Sequence, residues 1–192
     1  DEGDPFNELL NKKSINNIRS SGLFSSVDFE VNESKDQSHK IMDIFVEERP
    51  SGEISAGAGV GTSGTTFTFG IKEANFNGKG IKTNTSINIG SDIVSGGLSF
   101  VIPNYKYSNK SLNGDFSRTV SDLLTTSGYK NSSNRIALGT AFEQKQNLFF
   151  SPTIGLNYEK LETSTIASSA LKKQAGDYYD VNLDYAIMYD QR

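Results

Sequence analysis

The stretch GEISAGAGVG, Gly52 to Gly61, decides how this chain is read. It alternates strictly. Ile54, Ala56, Ala58 and Val60 fall on one side, and Glu53, Ser55, Gly57, Gly59 and Gly61 on the other. Alternation means a strand, because successive side chains point to opposite faces. Glycine inside a strand weakens it through backbone entropy and the lost side chain. A soluble sheet rarely lines one face this way, so the stretch raises the question of what a weakly pairing strand provides.

The following residues repeat the alternation. TFTFGIKEA sets Phe67, Phe69 and Ile71 against Thr66, Thr68, Gly70 and Lys72. IKTNTSINIG sets Ile81, Thr83, Thr85, Ile87 and Ile89 against Lys82, Asn84, Ser86 and Asn88. GGLSFVI, SLNGDFS, RIALGTAF, SPTIGLNYEKL and YYDVNLDYAIMY continue it, which predicts eight strands after Pro50 and no convincing helix. A soluble sandwich also alternates. Three features favour a transmembrane barrel instead. The polar faces consist mainly of Gly, Ser, Thr and Asn; aromatics such as Phe76, Tyr105, Tyr107, Phe149, Phe150, Tyr178 and Tyr189 gather near strand ends; and connections alternate in length. Short ones at NFNGKG and EQKQN interleave with long polar ones at RTVSDLLTTSGYKNSSN and ETSTIASSALKKQAGD, while SDIVS is a short loop on the long side.

Residues 1–49 follow a different pattern, with the boundary at Pro50–Ser51. Asp4 as N-cap and Pro5 at the first helical position predict a helix. Its stripe would be Phe6, Leu10 and Ile18 with Ile15 beside them, and Gly22 would end it, with Leu23 touching Ile18. SSVDFEV and KIMDIFVEE then predict a hairpin burying Val27, Phe29 and Val31 with Ile41, Ile44 and Val46. Such a small α+β piece has too little core to stand alone, and its open sheet edge suggests a missing strand.

Composition excludes several classes. The hydrophobic fraction of 35% lies below the globular norm, but twelve Phe and eight Tyr argue against disorder. A net charge of −4 gives no basic footprint for nucleic acid. There is no Cys, hence no disulfide or thiolate chemistry, and His39 reads as a solvated turn residue. No apolar run approaches the ~18 residues of a spanning helix, and the opening DEGDPFNELL is no signal peptide but reads like an interior segment. Asp180, Asn182 and Asp184 share one strand face, with Asp115 and Glu159 also inward, and paired carboxylates can bind Ca²⁺ or act as acid and base. The polarity of a barrel lumen explains them more simply, so neither metal nor cofactor is expected. GAGVG and NGKG do not match a phosphate-binding loop and open no helix. No small-molecule substrate is expected.

In a bilayer every backbone group must be satisfied, so a barrel must close, and its closing pair is where closure can be reversible. A glycine-rich first strand packs poorly across that pair and can accept another strand. The other reading is that its glycines make room for lumen bulk or allow a bend.

Residue order then resembles a known family. GDPFN, IRSSGLFSSVDF and IFVEERPSG, followed by GAGVGT, FTFGIKEANFNGKG and VIPNYKYSNKSLNGDF, resemble the junction between the last POTRA domain and the barrel in the BamA family of outer-membrane protein assembly factors. The resemblance implies that residues 1–49 are the C-terminal part of a POTRA domain lacking its first strand and helix, and that residues 50–192 are the first eight of sixteen barrel strands. The family's Val-Arg-Gly-Phe/Tyr loop motif, which lies in the second barrel half, does not occur here. The implied role is non-enzymatic: insertion of nascent outer-membrane proteins by strand pairing along Gly52–Gly61. Implied partners are those clients, assembly-complex lipoproteins and the lipid bilayer. The POTRA edge, Ile41, Asp43, Ile44, Phe45 and Val46, would be a docking surface in the periplasm of a Gram-negative bacterium. A TamA-like or two-partner-secretion transporter shares this architecture, and a small closed OmpA-like barrel of eight strands is a further alternative.

Overall fold

The structure is a computed structural model and describes residues 5–34, 39–61 and 64–190. The chain divides into two compact units, Asp1–Ser51 and Gly52–Arg192.

In the first unit, helix α1 (Glu8–Ser20) precedes an antiparallel hairpin of β1 (Phe24–Glu33) and β2 (Lys40–Glu48). The helix is capped by Asn7, whose Oδ1 accepts the N–H groups of Leu9 at 2.9 Å and Leu10 at 3.2 Å. This corrects the expected start. Pro5 and Phe6 precede the helix, and Asp4 lies outside the described residues. The later start rotates the buried stripe to Asn11 and Ile15, with Ile18 half-buried, and leaves Phe6 and Leu10 exposed. Gly22, at φ +76°, ends the helix in the left-handed region as expected. Ser21 replaces part of the expected ending: its Oγ donates to the Ile18 carbonyl at 2.7 Å and accepts from Leu23 N–H at 3.3 Å. The Arg19 guanidinium ties the helix to β1 by donating to the Val27 carbonyl at 2.8 and 3.2 Å.

Val27 pairs with Val46, Phe29 with Ile44 and Val31 with Met42. The pleat therefore places Met42 on that face, and Ile41, opposite Asn32, on the other with Phe45. Ile41, Ile44 and Val46, expected to be mostly buried, are exposed: α1 packs on β1 rather than β2, and Ile41 lies on the opposite face from the other two.

The second unit is one antiparallel meander. Its strands are β3 (Gly52–Gly61), β4 (Gly64–Phe76), β5 (Ile81–Gly90), β6 (Ile93–Ile102), β7 (Lys110–Leu123), β8 (Tyr129–Lys145), β9 (Leu148–Thr163) and β10 (Gly176–Tyr189). Each pairs with its chain neighbours, so β3 and β10 have a partner on one side only among the described residues. The sheet is thus open, and the closed eight-stranded alternative is not its arrangement. All eight expected strands form, but one connection was misjudged. Most of RTVSDLLTTSGYKNSSN is a hairpin extending β7 and β8, leaving a turn at 124–128. Polar alternation continues through it as Arg118–Asn134 and Thr119–Ser133 pairs, which read as loop because no apolar face accompanies them. The β9–β10 connection is long as expected but, where no helix was expected, carries a short one, α2 (Ser169–Gln174). Its first turn is nucleated by Ser168 Oγ accepting from Leu171 N–H at 3.2 Å, and it is too short to show a periodicity. The two connections dock: Ser164 N–H donates to the Gly128 carbonyl at 2.8 Å and Ala167 is buried. Among the described residues no helix is long and apolar enough to cross a membrane, so any crossing is made by strands.

Candidate functional site

Directly paired residues share a face, so the register assembles two continuous surfaces. One is apolar. It runs through Ile54–Ile71, Phe69–Ile87, Phe67–Ile89, Leu98–Phe116, Ile136–Leu156, Leu138–Ile154, Val181 and Leu183. These side chains are exposed, with Ile54 at 82% and Leu183 at 75%, far from what water tolerates over eight strands. Aromatics bound the band at both ends. Toward the short turns Phe142 meets Phe150 edge-on at 5.9 Å and Phe150 meets Tyr185 at 6.4 Å. Toward the long connections Tyr158 lies 4.9 Å from Tyr179. On β10 the band runs from Tyr179 to Tyr189. That is roughly 33 Å of strand at ~3.3 Å per residue, or about 25 Å along the normal at ~40° tilt, which matches the apolar height of outer-membrane barrels.

The other surface is polar and small. Asp115, Ser117, Ser133, Arg135, Gly139, Gly155, Asn157, Asn182 and Asp184 lie on it. Arg135, on β8, reaches across β9 to β10, with Nη2 3.1 Å from Asp184 Oδ2 and Nη1 3.3 Å from Asn182 Oδ1. The span is possible because Gly155 lies beneath it. A Cβ there would sit 2.5 Å from Asn182 Oδ1 and 3.2 Å from the Arg135 Cζ. Asp115 lies 3.9 Å from Arg135 Nε, and Glu159 accepts from Asn131 Nδ2 at 2.8 Å. Apart from Asp180, the carboxylates singled out from sequence are therefore engaged in cross-strand bonds. Sequence reading missed the Arg135 bridge, because no local pattern links residue 135 to residue 184; only the register does.

The strand GEISAGAGVG forms the free edge β3. Glu53 faces Lys72, Ser55 faces Gly70, Gly57 faces Thr68 and Gly59 faces Thr66. On the other face Ala56 pairs with Phe69, Ala58 with Phe67 and Val60 with Thr65, while Gly52 and Gly61 end the ladder opposite Glu73 and Gly64. Gly57, Gly59 and Gly61 have more room than the glycines inside the other strands. At Gly70 a Cβ would lie 2.6 Å from Ser55 Oγ, and at Gly139 it would strike Thr153 and the Pro152 carbonyl. At Gly57, Gly59 and Gly61 it would meet nothing within 4 Å. Within this chain, the Pro152 carbonyl requires glycine at 139 and side chains crowd 70 and 155, whereas no neighbour requires it at 57 or 59. The docking edge expected from sequence, Ile41, Asp43, Ile44, Phe45 and Val46, lies along β2, which pairs only with β1 among the described residues. Asp43 accepts from Asn32 Nδ2 at 3.3 Å, and Phe45 is 57% exposed.

Residues 75–192 match the Omp85 superfamily domain, well over half of the chain. The chain belongs to the Omp85 superfamily. Omp85 proteins are outer-membrane β-barrel proteins, and the paired apolar and polar surfaces agree with that. The fold is that of BamA: the crystal structure of BamA from Haemophilus ducreyi lacking POTRA domains 1-3 superposes with a TM-score of 0.73 at 17% identity, over 97% of this chain and 38% of that one. The present chain thus spans well under half of that relative. No curated protein sequence matches the chain.

Proposed function

We propose that this Omp85 chain is the first barrel half and the adjoining POTRA segment of an assembly factor that inserts nascent outer-membrane proteins, with β3 as the strand to which a client adds. One observation carries the reading: β3 is an edge whose main chain is unhindered by side chains, although no neighbour in the chain demands glycine at 57 or 59. A strand that recruits partners through N–H and C=O groups needs an accessible backbone and little else. A client's terminal strand pairs with β3, further hairpins follow, and the client leaves when its own barrel closes. No bond is made or broken, and no metal or cofactor takes part. Residues 1–49 would serve in the periplasm as the end of a POTRA domain, with β2 as the edge facing clients and lipoproteins. The exposed Phe45 and Ile41 along that edge support this.

The test is a disulfide between a cysteine at position 57 and the final strand of the complete parent protein, reconstituted in liposomes. Oxidation should stop client insertion and reduction should restore it. Insertion at the normal rate under the lock would overturn the strand-addition reading.

A further inference from the structure

The lysines on the apolar surface differ between its two rims. Toward the long connections its lysines are neutralised: Lys130 pairs with Asp122 at 2.7 Å and Lys160 with Glu162 at 2.6 Å. At the short-turn rim Lys110 stands on the same apolar face, directly opposite Phe142, with Nζ 5.1 Å from that ring centroid. Four residues earlier, Lys106 Nζ lies 5.3 Å from the Tyr105 ring. Among the described residues neither lysine is ion-paired, and each ammonium lies over an aromatic ring.

The turn that carries Lys106 is unusual. Asn104, Lys106, Tyr107 and Asn109 all adopt left-handed backbone, at φ 49°, 51°, 57° and 56°, with no glycine among them. Asn and Asp tolerate this conformation, whereas Lys and Tyr do so at a cost, and strain of this kind persists where surrounding bonds over-determine it. Here they do. Asn109 N–H donates to Asn104 Oδ1 at 2.8 Å, Tyr107 N–H to the Asn104 carbonyl at 3.0 Å, and Ser108 Oγ to the Tyr105 carbonyl at 2.6 Å. The bonds fix the backbone that presents Tyr105, Lys106 and the 93% exposed Tyr107, and the turn leads directly into Lys110 at the start of β7.

We propose that this turn, with Lys110 and Phe142, binds the phosphate of an anionic phospholipid in the leaflet at the short-turn rim. The inference rests on the membrane-spanning reading of the sheet. Two ammonium groups without carboxylate partners supply the charge complement, the tyrosine hydroxyls can donate to phosphate oxygens, and the apolar face beyond Phe142 receives the acyl chains. A cation held over an aromatic face is partly shielded from water, which favours contact with a headgroup at the interface.

The experiment uses the complete parent protein in detergent, titrated with phosphatidylglycerol or phosphatidylcholine, with retained lipid counted by native mass spectrometry. The native protein should retain several-fold more phosphatidylglycerol. Lys106→Gln with Lys110→Gln should bring that down to the phosphatidylcholine level, and Lys106→Arg with Lys110→Arg should keep the preference. Lys130→Gln with Lys160→Gln should leave it unchanged. Undiminished preference in the Gln pair would overturn the site. So would displacement of the lipid by equimolar inorganic phosphate, which would mark a soluble-anion site. Should the Gln pair not fold, loss of preference in the Arg pair overturns the site on its own. A native protein that fails to enter liposomes, read by protease protection, would remove the membrane-spanning reading and this proposal with it.

Discussion

Replacing Gly57 and Gly59 together by Val tests whether bareness is what β3 contributes. A Cβ at either position meets nothing within 4 Å, so the first carbon of each new side chain strikes nothing in the chain. Removing glycine from a strand interior recovers roughly 0.5–1 kcal/mol per residue of backbone entropy. The protein should therefore become more resistant to unfolding, not less. Each new Val also gains a cross-strand neighbour on whatever strand closes against β3, at about 0.2–1 kcal/mol per pair. Two such pairs stabilise the closed seam by about 1 kcal/mol, and at ~1.4 kcal/mol per tenfold the opening equilibrium falls roughly fivefold. Client insertion by the complete parent protein into liposomes, followed by protease protection of the client, should slow by about that factor while the variant's own unfolding temperature holds or rises. Gly139→Val is the control, because its Cβ would lie 2.9 Å from the Pro152 carbonyl oxygen and should destabilise. An unchanged insertion rate in a stabilised double variant would refute the reasoning: the strand would then be glycine-rich for a reason unrelated to opening.

Three more outcomes are expected. Gly128→Ala places a side chain at φ +78°, 2.6 Å from the Ala167 backbone nitrogen, so the docked connections should part; hydrogen exchange at Ser164 and nicking within 164–175 should rise while the sheet's unfolding is unaltered. Gly155→Val should expel the Arg135 guanidinium from Asp184; the pair is partly exposed, so the loss is under ~1 kcal/mol, and Arg135→Gln should add nothing to it in a double-variant cycle of unfolding midpoints. The Glu8 carboxylate is held below the ordinary glutamate value by its hydrogen bond and charge interaction with Lys12, 2.7 Å away. Its stabilising effect is therefore present above the ordinary value and fades as pH falls through the lowered one. A carboxyl-carbon NMR titration should show the depression, and Lys12→Gln should remove most of it, Lys40 supplying the remainder.

The eight strands were legible because a sheet with one lipid-compatible face writes its period directly into the sequence: Phe67, Phe69 and Ile71 or Tyr179, Val181 and Leu183 can lie only on one side of a pleat. The helix start was less legible, since Asp4 and Asn7 are both competent caps and only the hydrogen bonds to Leu9 and Leu10 choose between them. The β7–β8 extension was hidden for a related reason. Where both faces meet water, a paired strand and a polar loop have the same composition.

What the sequence determined by itself, then, is the alternation, the aromatic rims and the bare first strand, all of which are local properties of the pleat. The tertiary structure decided everything that depends on register. It distinguished glycines crowded by their neighbours, at 70, 139 and 155, from those at 57 and 59 that are not. It carried Arg135 across Gly155 to Asp184, and it left Lys106 and Lys110 facing rings while Lys130 and Lys160 found carboxylates. Register is set by hydrogen bonds between strands dozens of residues apart, and no spacing within one strand encodes which side chains those bonds bring together.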